Sequence, residues 1–312
     1  MSINQINNIT ASNISTINNI SLSNIAEVIN VGYSEPAPSF TDTYAVSKSI
    51  TTGSGQAVRI ADDGGAYSYI QSDAYSISFW VKAGWSSALN TNIHLFSSNT
   101  GSSAHTNMIR IYYNESNNRL YFEFRSASNA KKNNFWLFHA NSGNYSAAYS
   151  AAGLGGSYWS ASNRGNTGDD DMTMITITKG TANNAGSNNV NLYWNATDCG
   201  IGHYGANGFS QGTPNQNTSN RQVALGSNTW DTYTKSGNST ETIFNDLTIW
   251  NKKLSASEVS SLYNNGTRMD ATTHSAASDL QGYYKFENNG NDSSGNNHAA
   301  FTISGNSNIH TI

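Results

Sequence analysis

The stretch Ser76-Ile77-Ser78-Phe79-Trp80-Val81-Lys82 alternates so strictly that Ile77, Phe79 and Val81 must share one face of an extended chain. A helix would scatter those three side chains around its axis, whereas a strand lines them up. The same logic recurs along the chain. Residues 108–113 (Met-Ile-Arg-Ile-Tyr-Tyr) and 119–124 (Arg-Leu-Tyr-Phe-Glu-Phe) flank Asn114-Glu115-Ser116-Asn117-Asn118 and read as a hairpin. Residues 174–178 and 190–194 are a second pair across a Gly/Asn-rich loop, and 44–46, 57–60, 222–225 and 244–250 are further strand candidates. Many short strands with turn residues between them predict an all-β fold: a two-sheet antiparallel sandwich of jelly-roll type, with very little helix.

Composition narrows the class further. Only 12% of the 312 residues are charged and the net charge is −4, about half the usual charged share of a soluble chain. Polarity comes instead from 45 Asn and 45 Ser. Seven Trp and seventeen Tyr argue against disorder, because disordered chains lack such rings. Sixteen Lys plus Arg are outnumbered by twenty Asp plus Glu and are scattered, so no nucleic-acid footprint is expected. No apolar run approaches a membrane span. The start MSINQINNIT has no basic segment followed by an apolar core, so no Sec-type signal is expected. Cys199, the lone cysteine, can form neither an internal disulfide nor a zinc cluster.

The first thirty residues repeat with a period of eleven. Ile6-Asn7-Asn8-Ile9-Thr10-Ala11-Ser12-Asn13-Ile14-Ser15-Thr16 is followed in register by Ile17-Asn18-Asn19-Ile20-Ser21-Leu22-Ser23-Asn24-Ile25-Ala26-Glu27, and Val28-Ile29-Asn30-Val31 opens a decayed third copy. Ile6, Ile9, Ile14, Ile17, Ile20, Ile25, Val28 and Val31 would fall on one side of a helix. Asn, Ser, Thr and β-branched Ile are mediocre helix formers, and short strands joined by Asn turns suit them better. In either conformation so few repeats cannot bury an aliphatic stripe alone, so residues 1–35 are expected to anchor or oligomerise the chain. Pro36 and Pro38 mark a stiff linker over 36–40, and residues 41–312 form the β domain.

One helix is specified in detail. Ser255-Ala256-Ser257-Glu258 is a capping box, Leu254 and Val259 can form its hydrophobic staple, Leu262 and Tyr263 continue its apolar face, and Gly266 is expected to end it.

That segment carries a resemblance. Residues 244–259 (Phe-Asn-Asp-Leu-Thr-Ile-Trp-Asn-Lys-Lys-Leu-Ser-Ala-Ser-Glu-Val), closing with Leu262-Tyr263-Asn264-Asn265-Gly266, resemble the C-terminal signature of laminin G-like domains of the concanavalin A-like superfamily. Residues 75–82, 174–195 and 280–297 resemble further strands and turns of that family. The resemblance spans roughly 41–305, with unmatched insertions near 127–170 and 196–220, and implies that the C-terminal segment 271–312 packs onto the same sandwich. The Ile-Asn-x-Ile and Ser-Asn-Ile units ahead of such a domain are similar to virion structural proteins of marine tailed phages. This second resemblance implies a particle-surface protein assembled in the host cytoplasm: a capsid decoration or head fibre. Its N-terminus would hold the major capsid or another virion protein, and the chain would be a homo-oligomer, a trimer by expectation. A tail-fibre receptor-binding protein and a free lectin or adhesin module of a bacterial surface protein are the alternatives.

Catalytic, metal and glycan sites each demand particular residue types. Concanavalin A-like glucanases carry Glu-x-Asp-x-x-Glu on one strand; Glu115 and Glu123 lack that spacing, and neither a Gly-x-Ser-x-Gly elbow nor a His-Glu-x-x-His helix occurs, so no catalysis is expected. The family resemblance implies calcium at the sandwich rim, with Asp62, Asp63, Asn245 and Asp246 as candidate ligands; Asp169-Asp170-Asp171 is a separate acidic cluster. Solvated loops and Asx turns explain the same acids without metal, and Asp292 reads as a turn. Glycan binding needs aromatic faces beside amides and hydroxyls. Trp85, Tyr158, Trp159, Trp230 and Tyr233 sit in Gly/Ser/Asn-rich stretches and are the candidates, whereas Trp80, Trp194 and Trp250 lie in strands and are expected in the core.

Overall fold

Alternating β-branched and aromatic residues make this chain a strand-built molecule. The computed structural model describes residues 5–6, 9–10, 16–17, 20–21, 44–49, 58–60, 67, 74–82, 92–100, 109–114, 119–125, 131–137, 172–180, 190–198, 202–204, 221–226, 241–303 and 307–311. Its strands in chain order are β1 (Gln5–Ile6), β2 (Ile9–Thr10), β3 (Thr16–Ile17), β4 (Ile20–Ser21), β5 (Tyr44–Ser49), β6 (Val58–Ile60) and β7 (Tyr75–Lys82). There follow β8 (Asn92–Thr100), β9 (Ile109–Asn114), β10 (Arg119–Arg125), β11 (Lys131–Leu137), β12 (Thr173–Lys179), β13 (Val190–Trp194) and β14 (Thr197–Asp198). The last are β15 (Gly202–Tyr204), β16 (Arg221–Leu225), β17 (Glu241–Trp250), β18 (Leu280–Tyr284), β19 (Thr302–Ile303) and β20 (Ser307–Thr311), with helix α1 (Ala256–Tyr263) after β17. The chain divides into two compact units, Met1–Thr41 and Asp42–Ile312.

In the first unit, β1 pairs with β2 through Gln5 opposite Thr10 and Ile6 opposite Ile9. Eleven residues later β3 pairs with β4 through Thr16 opposite Ser21 and Ile17 opposite Ile20. The sequence period is therefore a structural period of antiparallel strand pairs. Ile14, Ile25, Val28 and Val31 lie outside the described residues.

The second unit is a sandwich of two antiparallel sheets. One runs β15-β11-β10-β9-β8-β16-β6-β19, the other β14-β13-β12-β7-β17-β5-β20 with β18 also on β17. Ile77, Phe79 and Val81 face the opposing sheet as the alternation requires, meeting Leu95, Phe96, Ile109, Ile111, Phe122, Val223 and Leu225 in one buried cluster. The insertions extend the first sheet: β11 arises near 127–170 and β15 near 196–220. The C-terminal segment joins both layers, since β18 pairs with β17, β19 with β6 and β20 with β5.

A second cluster lies on the outer face of the β7–β17 sheet. Trp80, Met174, Tyr193 and Trp250 are covered there by Leu254, Val259 and Leu262 around α1, together with Ala271, Ala276, Leu280 and Tyr283. The predicted tryptophans are indeed buried, but only Trp194 belongs to the inter-sheet core; Trp80 and Trp250 form the bed for α1. Ser255 caps α1 and the capping box is complete, with Ser255 N donating to Glu258 Oε2 at 2.8 Å. The helix stops earlier than expected. Asn264, at φ 47°, is its left-handed cap, and Asn265 and Gly266 continue with positive φ. Asn carries the turn that glycine was expected to supply.

Candidate functional site

The best-determined polar constellation is built on a bulge in β17. Asn245 lies opposite Trp80 but Thr248 lies opposite Ser78, so β17 carries one extra residue. Phe244 and Leu247 consequently both reach the core although they are three apart. Asp246 takes φ 46°, a left-handed backbone that Asp tolerates better than most residues. At this bulge β17 also changes partners on its other side, from β5 (residues 241–244) to β18 (residues 247–250). Two side chains close the resulting gap. Asn245 Nδ2 donates to Tyr44 O at 3.0 Å, and Tyr44 N donates to Glu287 Oε1 at 3.1 Å.

Asn245 Oδ1 accepts from Asp246 N at 2.9 Å, and Asp246 Oδ1 accepts from the Tyr283 hydroxyl at 2.8 Å. Burial, and then the charge of Asp246, push the Tyr283 phenol well above its ordinary range. Asp246, Tyr283, Ser78, Thr248, Trp80 and Leu262 line a cavity of about 10 Å³ beneath α1, room for a single water. Such a space excludes any organic substrate. Asn245 is fully buried and Asp246 nearly so, and their described bonds run to backbone and to Tyr283. This pair by itself does not present the open oxygen cage a calcium ion takes. Among the described residues no group of three or more His, Cys, Asp or Glu could hold a metal. Asp62, Asp63 and 169–171 lie outside the described residues.

Glu258, Asp270 and Asp292 are committed to the fold in the same way. Burial works against the charge of Glu258, but hydrogen bonds from Lys252 (2.7 Å) and Ser255 outweigh it and hold the carboxyl at about 2. Burial likewise opposes Asp270, and the Lys285 ammonium and Thr272 prevail and lower it. Asp292 accepts from Tyr283 N, Ser294 N, Ser294 Oγ and His298 N, filling both oxygens within one turn. It is the turn residue its sequence context implied.

On the outer face of the other sheet, Arg110 lies over the Tyr112 ring at 4.3 Å and His94 packs beside that ring at 5.7 Å. Burial, and then the Arg110 charge, lower His94 to about 3, so the imidazole is neutral at any ordinary pH. His94 Nδ1 is buried with no hydrogen-bond partner among the described residues. β9 and β10 are legible as strands in the sequence, whereas β8 and β11 are not. Lys131-Lys132-Asn133-Asn134 hides the strand character of β11, and only Phe135-Trp136-Leu137 signals it. The glycan candidates Trp85, Tyr158, Trp159, Trp230 and Tyr233 lie outside the described residues.

No protein-family model matches the chain, and no curated protein matches it. Solved structures do. The binding domain of botulinum neurotoxin DC in complex with rat synaptotagmin II aligns at TM-score 0.39 and 14% identity, covering 64% of this chain and 38% of that one. The botulinum neurotoxin serotype C1 binding domain gives TM-score 0.39 and 14% identity, with 64% and 38% covered. A botulinum neurotoxin type C structure, described as depending on two ganglioside molecules for cell entry, gives 0.37 and 12%, with 64% and 37% covered. The chain thus spans less than two fifths of the length of these three structures.

Proposed function

We propose that this protein is a non-catalytic virion accessory protein, a capsid decoration or head fibre of a tailed phage, whose N-terminal repeat anchors it and whose laminin G-like sandwich serves as a glycan-attachment module. The observation that carries the reading is the exact repetition of hairpin register eleven residues apart in the first unit. Two-residue strands cannot hold themselves together in water. Such a unit gains stability only by adding to other copies or to another protein's surface, which is what an anchor or trimerisation segment does. Four described acids of the second unit support the non-catalytic part: Asp246, Glu258, Asp270 and Asp292 are bound to backbone and to neighbouring side chains of the fold.

The test is deletion of residues 1–35 in the producing phage, with particles purified on a density gradient. The account expects the truncated chain in the soluble fraction with its sandwich folded. Incorporation at the full-length copy number would overturn the anchor and leave a free lectin or adhesin as the better reading.

A further inference from the structure

The outermost strand of an open sheet presents a row of main-chain N–H and C=O groups that another chain can pair with, and folded proteins blunt such edges by shortness, charge, proline, bulges or a covering loop. This sandwich blunts nearly all of its own. One sheet ends on β15, three residues long, and on β19, two residues long. Where β11 runs past β15 it opens on Lys131 and Lys132, charges that discourage an added strand. The other sheet ends on one side at β14, two residues closing on Asp198. β18, which branches from β17, has its outer edge filled by the loop that follows it. Tyr283 N donates to Asp292 Oδ1 at 3.0 Å, and Tyr283 O accepts from Ser293 N at 2.6 Å. Gln281 O accepts from Ser294 Oγ and from Asn296 Nδ2, each at 3.0 Å, and Leu280 O accepts from Asn296 Nδ2 at 2.9 Å. β20 has none of these devices. Ser307-Asn308-Ile309-His310-Thr311 pairs with β5 from Lys48 to Tyr44 without a register shift, and it contains no proline, glycine, acid, lysine or arginine. Among the described residues no strand lies on its outer side.

We infer that the β20 edge is a pairing surface for β20 of a second copy of this chain, joined antiparallel about a two-fold axis so that two eight-stranded sheets become one. Main-chain groups carry the contact, and the sequence decides who can supply the partner strand. Self-pairing sets Ser, Asn, Ile, His and Thr against one another, so no pair of like formal charges arises in any register. The same operation at β14 would bring Asp198 towards its own copy. A two-fold pairing also closes on itself, because each chain spends its one open edge and leaves none for a third. A strand of five residues is about 17 Å long, a small interface, so the dimer is weak and forms where copies are crowded. Two sandwiches held together can meet a surface at two points, which raises avidity without any new contact to it. The inference goes beyond the anchor reading and needs no part of the first unit.

The experiment is sedimentation velocity of the full-length protein over about 1–200 micromolar, the range a small interface calls for. The mean mass should climb with concentration towards twice its value at the lowest concentration, whatever assembly the first unit sets. Ile309→Lys, which places like charges near the two-fold axis, should weaken the association about tenfold or more and hold the mass at its low-concentration value. An equimolar mixture of the Ile309→Lys and Ile309→Glu chains should restore the doubling, a rescue that a merely damaged strand would not show. Ser257→Lys, on the exposed face of α1, should behave as the parent. Thermal melts check each fold, and the Asn308→Lys and Asn308→Glu pair serves should Ile309→Lys fail to fold. A mass independent of concentration would overturn the inference, as would doubling that survives the lysine variants or a mixture that stays at the low value. None of these outcomes bears on whether residues 1–35 hold the particle.

Discussion

The hydrogen bond from Tyr283 to Asp246 should be among the most consequential polar contacts in the molecule, and its worth can be stated in advance. Asp246 sits on the β17 bulge with 6% of its surface exposed, and Tyr283 is fully buried, 2.8 Å away. A hydrogen bond to a charged group contributes about 1.5–3 kcal/mol net, so Tyr283→Phe should cost about 2 kcal/mol. Asp246→Ala loses the same bond and also places alanine at φ 46°, which adds about 1–2 kcal/mol and brings the total to about 3–4. Asp246→Asn keeps an acceptor and a residue that tolerates this backbone, and should cost about 1 kcal/mol. Urea denaturation of the parent, the two single variants and Asp246→Ala/Tyr283→Phe gives the coupling directly; about 1.5 kcal/mol or more is expected. Repeating the series with calcium and with EDTA separates a structural carboxylate from a metal ligand, and the ranking should be the same in both. Additive losses, with coupling below about 0.5 kcal/mol, would refute the claim that this bond secures the bulge.

Other contacts yield further expectations. His94 is held near 3 by burial and then by Arg110, against 6.5 when exposed. The unfolded chain therefore takes up its proton first, and stability present above pH 6.5 is lost as pH falls toward 3. About 1 kcal/mol should be gone by pH 5.5, and His94→Gln should flatten that part of the profile in pH-dependent urea melts. Below pH 4.5 Glu258 adds a further loss, its stabilisation disappearing as pH falls toward 2. Ser255→Ala removes the α1 cap and should cost about 1 kcal/mol in the same assay. Gly290→Ala would drive a methyl group into the Phe301 backbone carbonyl, whereas Gly295→Ala meets no atom and strains only a positive φ. The first should lower the thermal midpoint clearly more than the second.

The sandwich was legible in the sequence wherever one face of a strand is apolar. The alternation in β7 and β12 and the aromatic run in β10 point to a two-sided sheet, and each takes part in the inter-sheet core. The α1 cap was legible because four consecutive residues carry its whole hydrogen-bond pattern. β8 and β11 were not, since Asn92-Ile93-His94-Leu95-Phe96 breaks alternation at a bulge and β11 opens on two lysines and two asparagines. A capping motif reaches only a few residues, whereas neighbours across a sheet such as His94 and Tyr112 come together only through register. Asn245 and Asp246 show the converse. Their residue types fit a cation or a bulge equally well, and only the opposed strands reveal the backbone work they do. In the first unit, propensity favoured short strands over the helix that periodicity alone allowed, and the hairpins at Ile6–Ile9 and Ile17–Ile20 follow propensity.

The central claim is that two separate units divide the work, the first holding the particle and the second meeting the glycan. Its most direct measurement is the copy number of the protein on purified particles carrying either the full chain or the chain lacking residues 1–35, with the melting profile of each protein taken in parallel. The account predicts stoichiometric full-length protein, no truncated protein on particles, and a sandwich transition present in both. Truncated protein on particles at the full-length copy number would contradict it.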